Sequence, residues 1–136
     1  MSAASVSNGC VLDAWAVISV ARRQAGAETV RQAIERGGAV MSWITLGEVF
    51  YLLARIVGND RAQAVVDSAL LDARVERPNG RLVLDAARLK ASFKMSYADC
   101  FAVATAQHHR LALLTADPEI IDGGADVDVV DLRDKP

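Results

Sequence analysis

Short apolar runs that alternate with longer helical segments constrain the fold of this chain more than any other feature. Glycines at positions 26, 37 and 58 end several of the helical segments. Strands separated by helices predict an α/β domain with a mostly parallel sheet, and the right-handed crossover rule places helices on both of its faces. We therefore predict a three-layer α/β/α sandwich. Its predicted strands are 9–13, 39–43, 74–77, 111–115 and 126–132, and its predicted helices are 14–25, 28–36, 45–57, 60–73, 82–93 and 97–110.

The composition is typical of one globular domain, and we expect residues 1–136 to form it. Of the 136 residues, 52% are hydrophobic and 24% are charged, which argues against a disordered chain. The net charge of -2 shows no basic surplus that would by itself indicate nucleic-acid binding. No apolar run approaches the roughly 18 residues that cross a membrane, and the first residues lack a signal-peptide pattern. We expect a cytoplasmic protein with two buried thiols.

Asp99 stands at the beginning of an otherwise apolar segment, Ala98 to Ala106. A buried carboxylate is unfavourable unless something pairs with it. One local explanation is helix capping, since Ser96 and Asp99 have the Ser-x-x-Asp spacing of a capping box. Thr45 and Glu48 repeat this spacing, which puts Glu48 in a first helical turn, and Asp13 and Asp117 also precede predicted helices.

A second explanation is that the same acids form one site. Asp13 ends the first predicted strand, and Asp117 follows the strand 111–115 within two residues. The helix that begins near Asp99 leads into that strand and must run antiparallel to it. Parallel strands all end at one edge of the sheet, where ligands bind. Four acids therefore converge there: Asp13, Glu48, Asp99 and Asp117. Such a cluster needs counter-charge, and Mg²⁺ or Mn²⁺ with its preference for oxygen ligands supplies it.

These residues make the chain resemble a PIN-domain ribonuclease, specifically a VapC-type toxin of a bacterial toxin–antitoxin pair. The matching stretches are "VLDAWAV", "WITLGEVFYLLAR" and "MSYADCFAVATAQHHRLALLTADPEI". Asp13, Glu48, Asp99 and Asp117 match the acidic quartet of the family. Thr115 matches a hydroxyl residue beside the last acid, and Glu119 matches an auxiliary acid with a first-turn helix position as its alternative. Trp15 departs from the pattern, because many members have Ser or Thr there.

The resemblance implies a PIN-like fold and Mg²⁺- or Mn²⁺-dependent hydrolysis of RNA, whether tRNA, rRNA or mRNA. In this scheme Asp13, Asp99 and Asp117 surround the principal metal, and Glu48 positions the attacking water or a second ion. It also implies a VapB-type antitoxin as partner and a homodimer. Arg55 and Lys94 are candidate RNA contacts, with a purely solvated role as the alternative.

Other functions remain open from the sequence. A non-catalytic PIN-like protein that binds RNA or a partner would share most of these residues. A receiver-type signalling domain would need paired acids after the first strand and a lysine at the end of a late one. "VLDAW" has one acid, and "LLTAD" and "VVDLR" do not end in lysine. The adjacent pair His108 and His109 does not predict a metal site, because neighbouring helical residues point about 100° apart.

Overall fold

The computed structural model describes residues 8–134 and contains a five-stranded sheet. Its order is β3-β2-β1-β4-β5, and every neighbouring pair is parallel. The prediction of an α/β fold with a mostly parallel sheet is therefore confirmed. The strands are β1 (Cys10–Leu12), β2 (Ala39–Ser42), β3 (Arg74–Glu76), β4 (Ala112–Thr115) and β5 (Val129–Asp131).

Helices cover both faces of the sheet. Successive strand residues point to opposite faces, so each buried strand contributes side chains to two cores. Cys10, Leu12 and Leu114 belong to one core, whereas Val11 and Leu113 belong to the other. The first core is completed by helices α1 (Ala14–Ala21), α2 (Ala27–Arg36), α3 (Trp43–Val57) and α4 (Asn59–Asp72). The second is completed by α5 (Gly80–Ser92), α6 (Tyr97–His109) and the one-turn α7 (Pro118–Ile121).

Two glycines, Gly9 and Gly38, allow the backbones before β1 and β2 to approach closely. A Cβ added at Gly9, which has φ +109°, would lie 2.7 Å from the carbonyl oxygen of Gly38. The Cys10 N–H donates to that same oxygen at 3.2 Å. A side chain at Gly9 would therefore push apart the two backbones that begin the sheet.

Several helix boundaries differ from the sequence prediction, and two of these differences bear on the site. Helix α1 ends at Ala21 rather than near position 25, and the chain then turns through Arg23 at φ 52° and Gly26 at φ 82°. Helix α3 begins at Trp43, where the Ser42 hydroxyl accepts the Ile44 N–H at 3.1 Å. The predicted capping box at Thr45 and Glu48 is therefore wrong.

The topology creates a crevice at the carboxyl edge of the sheet. β2 lies on one side of β1 and β4 lies on the other, so the connections leave this point in opposite directions. Ligands of open α/β sheets bind at such a switch point. The register pairs Leu12 with Leu114, which brings the residues after β1 and those after β4 side by side.

Within residues 8–134, no helix combines the length and the apolar character that a membrane span requires.

We predict that Gly26→Ala lowers the free energy of unfolding more than Gly124→Ala. Both glycines have positive φ, +82° and +86°, so both variants acquire backbone strain of about 1–2 kcal/mol. At Gly26 the new Cβ would also lie 2.7 Å from Leu132 Cβ, whereas nothing lies within 4 Å at Gly124. Overpacking should add about 1–3 kcal/mol at Gly26 alone. Urea denaturation measures both variants, and equal losses would contradict the packing of this loop on Leu132.

Candidate active site

A pocket of about 330 Å³ lies at the carboxyl edge of the sheet. The structure brings four predicted acids to its wall: Asp13, Glu48, Asp99 and Asp117. They come from the ends of β1 and β4 and from helices α3 and α6. The remaining lining residues are Ala14, Trp15, Ile18, Arg22, Gln24, Leu52 and Ile56.

Asp13 is held by hydrogen bonds to both of its carboxylate oxygens. As N-cap of α1, it accepts the Ala16 N–H on Oδ1 at 3.0 Å. Its Oδ2 accepts a short hydrogen bond from the Thr115 hydroxyl. Asp13 is only 3% exposed, so these bonds fix its orientation at the inner end of the pocket.

Asp117 is tied to the same threonine from the other side. Its backbone N–H donates to the Thr115 hydroxyl oxygen at 3.0 Å. Its carboxylate caps α7 by accepting the Glu119 N–H at 2.8 Å, with Pro118 as the first helical residue. Thr115 therefore connects the acid that follows β1 with the acid that follows β4.

Asp99 and Glu48 complete the acidic wall from two helices. The Ser96 hydroxyl accepts the Asp99 N–H at 3.1 Å, which confirms Ser96 as the N-cap of α6. Asp99 is buried, and one of its carboxylate oxygens lies within 4.8 Å of one on Asp117. Glu48 is half-buried and lies in the second turn of α3, not in the first as the capping-box prediction implied. It lines the pocket together with Leu52 and Ile56, one and two turns further along.

Burial and the charges of neighbouring acids make the ionised forms of Asp13, Glu48 and Asp99 unfavourable. Burial, reinforced by the charges of Asp117 and Glu48, raises the pKa of Asp13 to about 7, although its hydrogen bonds from Thr115 and Ala16 oppose the shift. Burial, then the neighbouring Asp117 and the Glu48 charge, raises the pKa of Asp99. Burial and the Asp117 charge raise the pKa of Glu48 as well. Positive charge in the pocket would favour the ionised forms.

The donor set fits a hard divalent cation. Carboxylate oxygens of Asp99, Asp117 and Glu119 all lie within 4.8 Å of one another, a spacing at which they could hold one ion. Oxygen ligands of this kind suit Mg²⁺ and Mn²⁺. The sequence analysis predicted Asp13, Asp99 and Asp117 around the principal metal. In the structure Glu119, rather than Asp13, lies close to the other two acids. Asp13 is instead held by Thr115 and Ala16.

Two predicted RNA contacts lie outside the pocket wall. Arg55 and Lys94 are exposed, and the Arg55 guanidinium lies 5.1 Å from the centre of the Tyr51 ring. One other polar residue of the pocket, Gln24, was missed by the sequence analysis. The signal was the polar run "RRQ" after the first helix, which the overlong helix prediction concealed.

Comparisons with known proteins agree with the geometry. A family model described as PIN domain matches residues 10–124 of the chain. No curated protein sequence matches.

Several solved structures share the fold at low sequence identity. The sarcin-ricin loop cleaving toxin VapC20 of Mycobacterium tuberculosis has a TM-score of 0.71 and 18% identity, over 84% of this chain and 94% of its own. DNA-bound VapBC from Salmonella typhimurium has a TM-score of 0.72 and 17% identity, over 92% and 98%. A toxin–antitoxin complex from Klebsiella pneumoniae has a TM-score of 0.68 and 22% identity, over 93% and 100%.

We predict that the stability of the metal-free protein falls as the pH rises from about 4 to about 7. In this range the folded state keeps a proton on Asp13, whose pKa rises from 3.8 to about 7, while the unfolded state has released it. Stability decreases with pH wherever the folded state binds more protons. Thermal unfolding in EDTA measures the dependence.

The variant Asp13→Asn should show a shallower pH dependence, because position 13 then no longer titrates. Asp60→Asn serves as the matched control, since Asp60 is exposed in the first turn of α4. An Asp13→Asn slope equal to that of the unmodified protein would show that Asp13 is not the buried acid described above.

Proposed function

The chain belongs to the PIN domain family, and from this we propose that it is a VapC-type toxin, a Mg²⁺- or Mn²⁺-dependent endoribonuclease. The observation that carries the proposal is the pocket in which Asp13, Glu48, Asp99 and Asp117 meet. The substrate is RNA and the reaction is hydrolysis of a phosphodiester bond. The oxygen of a water molecule bonds to phosphorus, the bond to the leaving ribose oxygen breaks, and that oxygen takes up a proton.

We assign a different part of the reaction to each acid according to its position in the pocket. Asp99 and Asp117, with Glu119 as an auxiliary ligand or Asp13 in its place, would hold the cation. When bound, the cation supplies Lewis-acid stabilisation of charge on the phosphate oxygens. Glu48 orients the attacking water and accepts its proton, since a carboxylate of raised pKa is a better base near neutral pH.

Other residues support this arrangement. Thr115 keeps Asp13 and Asp117 at a fixed separation through its two hydrogen bonds. Arg22 lines the same pocket, and a guanidinium is suited to bind a phosphate oxygen. Arg55 and Lys94 lie outside the pocket, and we propose that they contact RNA phosphates further from the cleaved bond.

We further propose that a VapB-type antitoxin neutralises the protein, and that the protein itself forms a homodimer. Structures of similar fold include toxin–antitoxin complexes. This chain also has an apolar groove of about 320 Å³ bordered by α1, α2 and α4, with Val20, Ile34 and Val65 in its wall. An amphipathic helix of the antitoxin is a suitable occupant, because such helices insert apolar side chains into grooves of this kind.

We predict that the partner-free protein cleaves total RNA in Mg²⁺ or Mn²⁺ and loses this activity in EDTA. Asp99→Asn and Glu48→Gln should each reduce the cleavage rate by more than about 100-fold, beyond the effect of removing a residue that merely supports a metal ligand. Gel analysis of end-labelled RNA gives the rate. Asp60→Asn, which changes an exposed acid in α4, should cleave at the unmodified rate.

Three results would contradict these roles. Equal cleavage in all variants and in EDTA would point to a contaminating nuclease. RNA binding without cleavage under any metal condition would identify the protein as a non-catalytic PIN-like binder. Unchanged cleavage by Glu48→Gln alone would remove Glu48 from the mechanism and leave the metal ligands in place.

We predict that Ser68→Arg prevents neutralisation by the antitoxin and leaves RNA cleavage intact. Ser68 is exposed on α4 and lines the apolar groove, so a long charged side chain would fill the groove without entering the core. Gln63→Arg is the matched control, because Gln63 is exposed on the same helix outside the groove wall. The measurement is RNA cleavage with increasing antitoxin, and equal inhibition of both variants would place the antitoxin elsewhere.

A further inference from the structure

Trp15 is a large aromatic residue at the edge of the acidic pocket. It is the second residue of α1, two positions after Asp13, and its side chain is 42% exposed. Among residues 8–134 it belongs to neither of the two core clusters. Core packing therefore does not explain an indole at this position.

Trp15 also lines a second pocket beside the acidic one. This second pocket measures about 470 Å³ and shares Trp15 and Gln24 with the first. Trp15 and Gln24 thus lie where the two pockets adjoin. The other lining residues of the second pocket are Ser19, Ala25, Ala116, Leu132, Arg133 and Asp134.

The two pockets differ in chemistry as the phosphate and the base of a nucleotide do: more of the lining residues are charged in the first than in the second. The acidic pocket combines its carboxylates with Arg22, which suits a metal ion and a phosphate. The same pocket is also lined by the apolar residues Trp15, Ile18 and Leu52. The neighbouring pocket contains small and apolar residues such as Ala25, Ala116 and Leu132. A base attached to a phosphate in the first pocket would meet the indole before entering the second.

The polar side chains of the second pocket differ in whether they already have hydrogen-bond partners. Arg133 donates to Asp131 at 2.7 Å and to Asp122 at 3.3 Å, so its charge is already balanced. The Gln24 side chain has no hydrogen-bond partner among the described residues, although its backbone is fixed by the Ser19 carbonyl at 2.8 Å. A primary amide offers both a donor and an acceptor to the edge of a base.

We propose that Trp15 stacks on the nucleobase next to the scissile phosphate, and that Gln24 hydrogen-bonds to the edge of that base in the second pocket. Proteins recognise single-stranded RNA by stacking unpaired bases on aromatic side chains and by bonding to their edges. The proposal rests on the proposed function, because it locates the base relative to the phosphate that is cleaved. It makes Trp15 a determinant of which RNA position is cut.

Variants of the two tryptophans test the proposal by cleavage kinetics on a short single-stranded RNA. Trp15→Ala should lower kcat/KM about 5- to 150-fold, the range that corresponds to one lost base–aromatic stack, and Trp15→Phe should retain most of the activity. Trp43→Ala is the matched control. Trp43 is 40% exposed and begins α3 directly after β2, but it lines neither pocket. The Mg²⁺ concentration for half-maximal rate should be the same in all four proteins.

A binding measurement separates this proposal from the proposed function. The chain contains two tryptophans, so Trp43→Phe leaves Trp15 as the sole indole. In that background with Asp99→Asn, an intact RNA oligonucleotide should quench the fluorescence, and the same oligonucleotide with an abasic residue beside the cleavage position should quench it much less.

The outcomes are distinct. If the unmodified protein cleaves RNA and Trp15→Ala matches Trp43→Ala, the stacking role is wrong and the nuclease assignment stands. If nothing is cleaved but a scan of abasic positions finds one that abolishes quenching, the base-binding site stands and the nuclease assignment fails. Quenching that is equal for intact and abasic oligonucleotides at every position overturns the stacking proposal.

Discussion

The repulsion between carboxylates at the end of β1 and β4 is the constraint on which the rest of the structure depends. Asp13 and Asp117 follow adjacent strands, and the register that pairs Leu12 with Leu114 brings them together. The Thr115 hydroxyl donates to one and accepts from the backbone of the other, so both keep their positions despite their like charges. Helices α3 and α6 then add two further acids to the same wall. The fold thus concentrates negative charge where a cation can relieve it.

The strands and most helices could be predicted because their signals are local. Strands β1, β2 and β4 are short, mostly apolar runs, and they are buried along their whole length. At the start of α3, two hydroxyl residues, Ser42 and Thr45, compete for one cap. Ser42 caps α3 and displaces Thr45 into the helix, where its hydroxyl is buried without a hydrogen-bond partner among the described residues. Neither the end of α1 nor this choice of cap is determined by periodicity, because tertiary contacts decide between local alternatives.

The acidic site could be predicted in position but not in detail. Strand ends and helix starts place Asp13, Glu48, Asp99 and Asp117 at one edge, which follows from topology alone. The closeness of Glu119 to Asp99 and Asp117 depends on how Asp117 caps the short α7. Arg22 and Gln24 reach the pocket through a turn that includes a non-glycine residue at positive φ. Turn geometry of this kind is set by packing, here of Gly26 against Leu132, and leaves little trace in the pattern of apolar residues.

The hydrogen bond between Thr115 and Asp13 joins residues that are 102 positions apart in the chain. A chain still under synthesis therefore holds Asp13 and Glu48 long before Thr115 and Asp117 exist. Its first strands can pair and its first helices can pack, but the part of the acidic pocket that follows β4 does not yet exist. Under the proposed ribonuclease function, this order of assembly would protect the ribosome that makes the protein, because ribosomal RNA lies within reach of the nascent chain. The late arrival of β4 therefore couples the completion of the acidic pocket to the completion of the sheet.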